Sequence, residues 1–329
     1  MASSRLVAAP ALVVTLVVGL VVALVLASCG SAPPTRRSAP VSGPVSGPVS
    51  GPVSGPAIAR TQVVRVVAAG DIACPPGLPV TPSQCQQGAT AALARRLYPG
   101  LVLTLGDHQY DEDSLAQFNG SYAKSWGTLR PRTRPTIGNH EYLTTGASGY
   151  YAYFRNRQPG PPGYYRIAAG AWQVFVLNSN CDKVSCGREA TWLDRQMKAH
   201  PSRCSMITMH HPRYSSGAVH GNNTSVIPLW RVAYRHRADL VLTGHEHDYE
   251  RFRRMDALGH LRPHRGLLEF VVGTGGRSLY HLGTRQRGSA YFQAARFGVL
   301  RLSLAPRGFS WAFRTIGGRV LDAGNGACL

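Results

Sequence analysis

Gly244-His245-Glu246-His247-Asp248-Tyr249-Glu250-Arg251 follows directly on the apolar run Ala238-Asp239-Leu240-Val241-Leu242-Thr243. Such a run, closed by a glycine turn, reads as a buried strand. Both imidazoles then leave the carboxyl end of a sheet strand, where open α/β sheets place their sites. Imidazole is a common ligand for borderline metals. Two surface histidines beside a local ion pair would look the same in isolation. The decision rests on whether other strand ends supply matching groups.

They do. Thr61–Ala69 reads as a strand ending in Gly70-Asp71, and Leu101–Leu105 as one ending in Gly106-Asp107, with Tyr110 three residues on. Arg134-Pro135-Thr136-Ile137 leads into Gly138-Asn139-His140-Glu141. Ser205–Met209 is a strand ending in His210-His211-Pro212, and Leu268–Val272 one ending in Gly273-Thr274-Gly275-Gly276. Between these, helical patterning covers Gln87–Leu97, Leu115–Trp126, Arg188–Ala199 and Ile227–Arg237; Trp172–Leu177 is a further strand, and Phe297–Arg314 alternates as a final hairpin. Strands alternating with helices predict an α/β domain. Two carboxylates, an amide, a phenol and several imidazoles meeting at one sheet edge suit two metal ions that share a bridging carboxylate.

The ordered blocks GDIA, GDHQY, GNHE, HHPRYSS and GHEHDYER resemble the calcineurin-like metallophosphoesterases, and within them are most similar to the purple acid phosphatases. The resemblance runs from about Val63 to Gly276. It implies an α/β (α+β) fold, a four-layer αββα sandwich forming a single catalytic domain over 57–329. It also implies a binuclear centre that hydrolyses phosphate esters through a hydroxide held on metal, with no covalent phosphoenzyme. Most family members carry Asp-x-His in the first block, whereas this chain has Asp71-Ile72-Ala73. The purple branch uses a tyrosine in GDxxY instead, matched here by Gly106 to Tyr110. A phenolate is a hard anionic donor, so the resemblance implies Fe(III) at the first site and a divalent ion (Fe, Zn or Mn) at the second. A packing tyrosine beside a divalent pair is the alternative for Tyr110.

Carried over block by block, Asp71, Asp107, Tyr110 and His247 serve the first metal. Asp107 as the bridge, Asn139, His210 and His245 serve the second. His210 is preferred to His211 because the pattern is His-x-Pro followed by an aromatic. Asn139 alone would suit a turn. His140 and His220 are the candidate catalytic histidines, His220 alternatively a solvent-facing loop residue. Glu141 is expected to orient a neighbouring imidazole, and Glu250 with Arg251 to form a structural ion pair. The expected activity is acid phosphatase-like, on phosphate monoesters. A phosphodiesterase on the same scaffold, or an adhesion module on a degenerate one, are the rivals.

The rest of the chain frames this domain. Residues 1–28 carry Arg5 and an uncharged apolar run from Leu6 to Leu26, as an export signal does. Leu26-Ala27-Ser28-Cys29 resembles a bacterial lipobox, which implies lipid on Cys29; an uncleaved anchor is the alternative. Residues 29–56 hold four copies of Val-Ser-Gly-Pro and read as a spacer. Both readings place the domain outside the cytoplasmic membrane; the expected localisation is extracytoplasmic, lipid-anchored to the bacterial cell membrane through Cys29. The six cysteines beyond Cys29 then suit disulfides. Short spacings favour Cys74–Cys85 and Cys181–Cys186, leaving Cys204 for Cys328, although other pairings stay open. No CxxC pair supports a structural zinc.

Lys and Arg number 36 against 16 Asp and Glu, a formal net charge of +20. Such a surface concentrates anions, including phosphate esters. No basic run interleaved with aromatics indicates a specific nucleic-acid partner. The expected partners are a small phosphate ester and, through Cys29, the membrane.

Overall fold

The structure is a computed structural model that describes residues 62–329. The export signal (1–28), the spacer (29–56), Cys29 and the first residues of the expected domain (57–61) lie outside the described residues. Among the described residues, no helix is long and apolar enough to cross a membrane.

The strands are β1 (Val64–Ala69), β2 (Leu101–Leu105), β3 (Thr133–Thr136), β4 (Tyr165–Ala169), β5 (Trp172–Val176), β6 (Cys204–Thr208), β7 (Leu240–Thr243), β8 (Tyr249–Phe252), β9 (Leu268–Val272), β10 (Ser289–Gln293), β11 (Gly298–Ala305), β12 (Gly308–Thr315) and β13 (Val320–Ala327). The α-helices are α1 (Gln87–Arg96), α2 (Leu115–Gly120), α3 (Ser148–Phe154), α4 (Cys186–Ala199) and α5 (Ile227–Arg235). Six strands form one sheet in the order β13-β12-β11-β1-β2-β3, and seven form the other in the order β10-β8-β9-β7-β6-β5-β4.

Alternation along the strands explains the layering. In the second sheet, Val174, Val176, Met206, Leu240, Leu242, Phe270 and Val272 share one core with the first sheet. Their neighbours Phe175, Ile207, Met209, Val241 and Val271 point the other way, into a core closed by Trp192, Leu193, Leu229 and Trp230 of α4 and α5. Successive side chains of a strand face opposite sides. A strand buried on both faces is therefore apolar throughout, which is why these runs lack polar alternation. On the other side, α1 and the segment around α2 and α3 cover the first sheet, with Phe118, Tyr122, Trp126, Tyr150 and Phe154 packed together. The result is the expected αββα sandwich.

Several expectations need correction. Helix 115–126 breaks: α2 stops at Gly120, and 3₁₀ turns follow at Tyr122–Lys124 and Trp126–Arg132. Glycine costs about 1 kcal/mol against alanine inside a helix, and Gly120 and Gly127 fall within eight residues of each other. The terminal hairpin is a three-stranded meander, since β13 pairs with β12 over Val320–Ala327. Its Gly324 and Gly326 hid the strand pattern. They leave room for the rings of Trp311 and Phe309 across the pair. Arg251 does not pair with Glu250. It donates to both oxygens of Asp322 on β13, at 2.7 and 2.9 Å. Asp322 also accepts from Tyr249 at 2.7 Å, so one carboxylate clamps β8 of one sheet to β13 of the other.

All three disulfides pair as the spacings favoured: Cys74–Cys85, Cys181–Cys186 and Cys204–Cys328. The last closes 124 residues of chain. In the chain-entropy account, a loop of that length is worth on the order of 5 kcal/mol through the unfolded state.

Candidate metal centre

Backbone geometry brings the strand ends together first. Asp71 N donates to Gly106 O and Ile72 N to Asp107 O, continuing the β1–β2 pairing past the strands. Gly70 N donates to Val272 O at 2.9 Å, which ties β1 to β9 of the other sheet. Asp71, Asp107 and His245 all adopt left-handed backbone, with φ of 58°, 46° and 72°. Such conformations cost of order 1–3 kcal/mol each for non-glycine residues and cluster at functional sites. Gly138 has no room for a Cβ: one would overlap the side chain and backbone nitrogen of Asp107.

The side chains then meet in two groups. Tyr110 Oη lies 3.0 Å from Asp71 Oδ1, 3.2 Å from Asp107 Oδ2 and 2.9 Å from His247 Nε2. His210 Nε2 lies 3.0 Å from Asn139 Oδ1, 3.1 Å from His245 Nδ1 and 3.3 Å from Asp107 Oδ2. Asp107 Oδ2 belongs to both groups. All seven residues assigned from the sequence are thus brought together.

Each is oriented from behind. His210 Nδ1 donates to Leu105 O at 2.8 Å, which aims Nε2 inward. His247 Nδ1 bonds Ser278 Oγ at 3.1 Å, and its ring stacks on Tyr280 at 3.9 Å. Asp71 Oδ2 accepts His245 N at 2.9 Å, and Asp107 Oδ1 accepts His140 N at 3.0 Å. His211 turns away to Ser179.

The electrostatics are those of a concentrated anionic pocket. Burial alone would raise Asp107, but the charge and hydrogen bond of His210, with His140 and His245 beyond, hold its carboxyl well below the usual range. Burial opposes charge on His210, yet Asp107 pushes this imidazole up to about 9. Burial and the neighbouring His210 hold His245 neutral. Oxygen and nitrogen donors without thiolate suit hard to borderline cations. Ligands about 2.0–2.2 Å from a common ion stand roughly 2.9–3.5 Å from one another. Both donor groups have that spacing, and Asp107, His210 and His245 alone already form a potential ion-holding cluster.

His140 and His220 stand at the open side. His140 Nε2 is 3.9 Å from Asp107 Oδ2, and its Nδ1 bonds Asp111 O at 2.6 Å. His220 is exposed and stacks on His245 at 4.0 Å. Glu141 does orient an imidazole, but that of His108, which is fully buried and outside the donor groups. Glu141 also accepts from the backbone of Asp107, His108 and Gly138, so it fixes the turn that presents Asp107.

A calcineurin-like phosphoesterase family model matches residues 64–249. The chain belongs to the calcineurin-like phosphoesterases. It is 31% identical over 174 residues to phosphoenolpyruvate phosphatase of Allium cepa, covering 46% of this chain and 36% of that one. Against purple acid phosphatase of Glycine max it is 27% identical over 178 residues, 47% of this chain and 38% of the other. This phosphoesterase thus aligns with little more than a third of the length of these curated relatives. Its fold resembles purple acid phosphatase from yellow lupin seeds (TM-score 0.68, 16% identity, 84% of this chain and 55% of that one). It also resembles GAP50, the inner membrane complex anchor of Plasmodium (TM-score 0.60, 14% identity, 81% and 89%).

Three buried acidic side chains have roles that were not read from the sequence, Glu250 having been assigned to Arg251 instead. Glu269 accepts from Arg213 N and Tyr214 N, at 2.9 and 3.1 Å. Glu250 accepts from Ser216 N and Ser216 Oγ, at 2.7 and 2.6 Å. Glu246, between the two site histidines, accepts from Val219 N, His220 N and Gly221 N, at 3.0, 2.9 and 3.2 Å. Together they hold the whole segment that carries His220. Nothing in the local sequence names these partners; only Glu269, an acidic residue inside the apolar run Leu267–Val272, hinted that its carboxyl group is used.

Two outcomes follow. Glu246→Gln should raise amide hydrogen exchange at Val219–Gly221 roughly tenfold, the worth of one lost hydrogen bond, while Ser215 and Ser216 amides keep their protection. Burial pushes Glu269 up to about 8, against 4.5 for an ordinary glutamate. Between those values the unfolded chain has lost the proton and the folded chain has kept it. This contribution to stability is therefore full below 4.5 and is lost as pH rises to about 8. Glu269→Gln should flatten the fall of melting temperature over that window, by at most about 1.4 kcal/mol per pH unit.

Proposed function

We propose that this protein is a binuclear-metal phosphatase that hydrolyses phosphate monoesters outside the cytoplasmic membrane. The observation that carries it is the pair of donor groups meeting at Asp107 Oδ2. Asp71, Asp107, Tyr110 and His247 would hold an Fe(III), and Asp107, Asn139, His210 and His245 a divalent Fe, Zn or Mn. Two ions bound there supply Lewis-acid charge and a nucleophile generated from water at neutral pH. The activity named for the Allium cepa relative, a phosphatase, supports the reading.

The chain's own groups do the remaining work. His140, tethered through Nδ1 to Asp111 O, presents Nε2 on the open side and donates a proton to the departing alkoxide or to a phosphoryl oxygen. His220 approaches the phosphoryl group from beside His245 and steadies its charge. Asp107 is pinned through Oδ1 by His140 N, so Oδ2 stays aimed inward. The charge of +20 draws anionic esters to the site. Lipid on Cys29 and the Val-Ser-Gly-Pro spacer would keep the domain tethered at a distance from the membrane; the three disulfides agree with an oxidising compartment.

Metal analysis, a visible spectrum and an ester panel across pH test this reading together. Asp107→Asn or His245→Ala should reduce metal content and lower aryl phosphate turnover by at least about a thousandfold, since the transition-state charge loses its main stabilisation. Tyr110→Phe should abolish a phenolate-to-iron visible band. A colourless, iron-loaded, active protein counts against Tyr110 as a ligand, and full activity of Asp107→Asn would sink the assignment. For the tether, cells fed radioactive fatty acid should label the wild type and leave Cys29→Ser unlabelled.

A further inference from the structure

The segment after β9 places an arginine at the rim of the site, and neither the family match nor the donor groups give it a task. Arg277 is built into the centre through its backbone. Its N–H donates to the carbonyl of Asp71 at 3.0 Å, and its own carbonyl accepts Cys85 N at 3.1 Å. Cys74 Sγ stands 3.4 Å from that same carbonyl, so the Cys74–Cys85 disulfide backs the residue directly. The guanidinium lies over the ring of Tyr110, 5.2 Å from its centroid. His140 leans on the same ring, 4.4 Å between centroids.

Asp111 joins the two. Its carbonyl accepts from His140 Nδ1, and its Oδ1 accepts from Arg277 Nη2 at 3.2 Å. That carboxylate is 61% exposed and the Arg277 side chain 22%, so the arginine is largely covered and the pair meets water on the Asp111 side. A pair open to water on one side is worth little, and a substrate anion can take the place of its exposed carboxylate. A guanidinium offers five donors in a planar fork that matches carboxylate or phosphate oxygens two at a time; Asp111 takes one through Nη2, and Nη1 has only a long contact of 3.9 Å to Cys74 Sγ. The aromatic face beneath it and the anchored backbone above fix where the fork points. A charge scattered at random over a basic surface would have neither support.

We propose that Arg277 is a specificity determinant that binds a second anionic group of the substrate. The preferred esters then carry a carboxylate or a further phosphate close to the scissile phosphoryl group. The donor sets take the phosphoryl group, and Arg277 trades its contact with Asp111 for the second anion. This inference rests on the phosphatase reading above.

The metal-loaded protein should be assayed with 2-phosphoglycolate, pyrophosphate and ethyl phosphate, alongside Arg277→Gln and Arg132→Gln. Arg132 is an exposed arginine in a cleft with Arg65, Arg95 and Gly100, at the end of the first sheet opposite Asp71. Arg277→Gln should lower the kcat/KM of phosphoglycolate, of pyrophosphate or of both, relative to ethyl phosphate, about tenfold or more, mainly through KM, as loss of a charge-assisted pair requires. Arg132→Gln, with the same change in net charge, should keep the wild-type ratio. A fall relative to ethyl phosphate on phosphoglycolate, on pyrophosphate or on both supports the proposal and names the second anion as carboxylate, phosphate or either. Equal losses on all three substrates, or both ratios to ethyl phosphate unchanged, overturn it. Calorimetric binding of phosphoglycolate and of pyrophosphate against ethyl phosphate decides the matter independently of turnover. A metal-loaded wild type that hydrolyses none of the three substrates overturns the phosphatase reading. Even then, Arg277→Gln must erase the affinity advantage of phosphoglycolate or of pyrophosphate over ethyl phosphate, or the proposal falls.

Discussion

One carboxylate oxygen, Asp107 Oδ2, is shared by two groups of donor atoms, and the architecture serves that sharing. A carboxylate buried among others is costly unless compensated. Here the compensation is spread over both sheets. The loop after β2 supplies the carboxylate, the loop after β3 fixes it through the amide of His140 and the carboxyl group of Glu141, and the loops after β6 and β7 supply the imidazoles. The left-handed turn at Asp107 and the bare Cα of Gly138 allow these backbones to approach so closely. A single methyl added at Gly138 would collide with Asp107 itself and with Glu141, which fixes its turn.

Much of this was legible in the sequence, for a physical reason. Apolar runs that end in Gly-Asp, Gly-Asn or Gly-His report a buried strand followed by a turn only glycine permits, with a polar group straight after it. The ligand candidates therefore announced themselves locally. What stayed hidden was pairing at long range. Glu246 meets amides 25 to 27 residues away, Glu250 meets Ser216 34 away, and Glu269 meets Arg213 56 away. Arg251 and Asp322 are 71 apart. Periodicity shows that a residue is inside, but not which residue it faces. Adjacent Glu250 and Arg251 suggested a local pair because sequence proximity is the only distance a sequence displays. In a strand, however, neighbours point to opposite faces.

The motif from His245 to Arg251 can now be read residue by residue. The histidines enter the centre, Glu246 and Glu250 hold the segment carrying His220, and Tyr249 and Arg251 grip Asp322 of the other sheet. One strand end thus couples three tasks that a mutation would otherwise separate. The segment it holds contains little apolar material of its own. Its order comes from buried carboxyl groups of other elements accepting its backbone hydrogen bonds.

The position of β1 has a mechanical consequence. Force drawn along the chain from its N-terminal side enters the fold at Val64. There β1 lies between β11 and β2, antiparallel to one and parallel to the other. A pull along its axis loads the hydrogen bonds to both neighbours together, in shear, instead of unzipping them one by one. The weaker place to pull is the edge strand β13, and the Cys204–Cys328 bond rivets its far end to β6 of the opposite sheet. Under tension, survival is set by the unfolding barrier more than by equilibrium stability. Asp71 stands just beyond the end of β1, so a tug on the chain reaches the centre only after a strand bonded along both edges has given way.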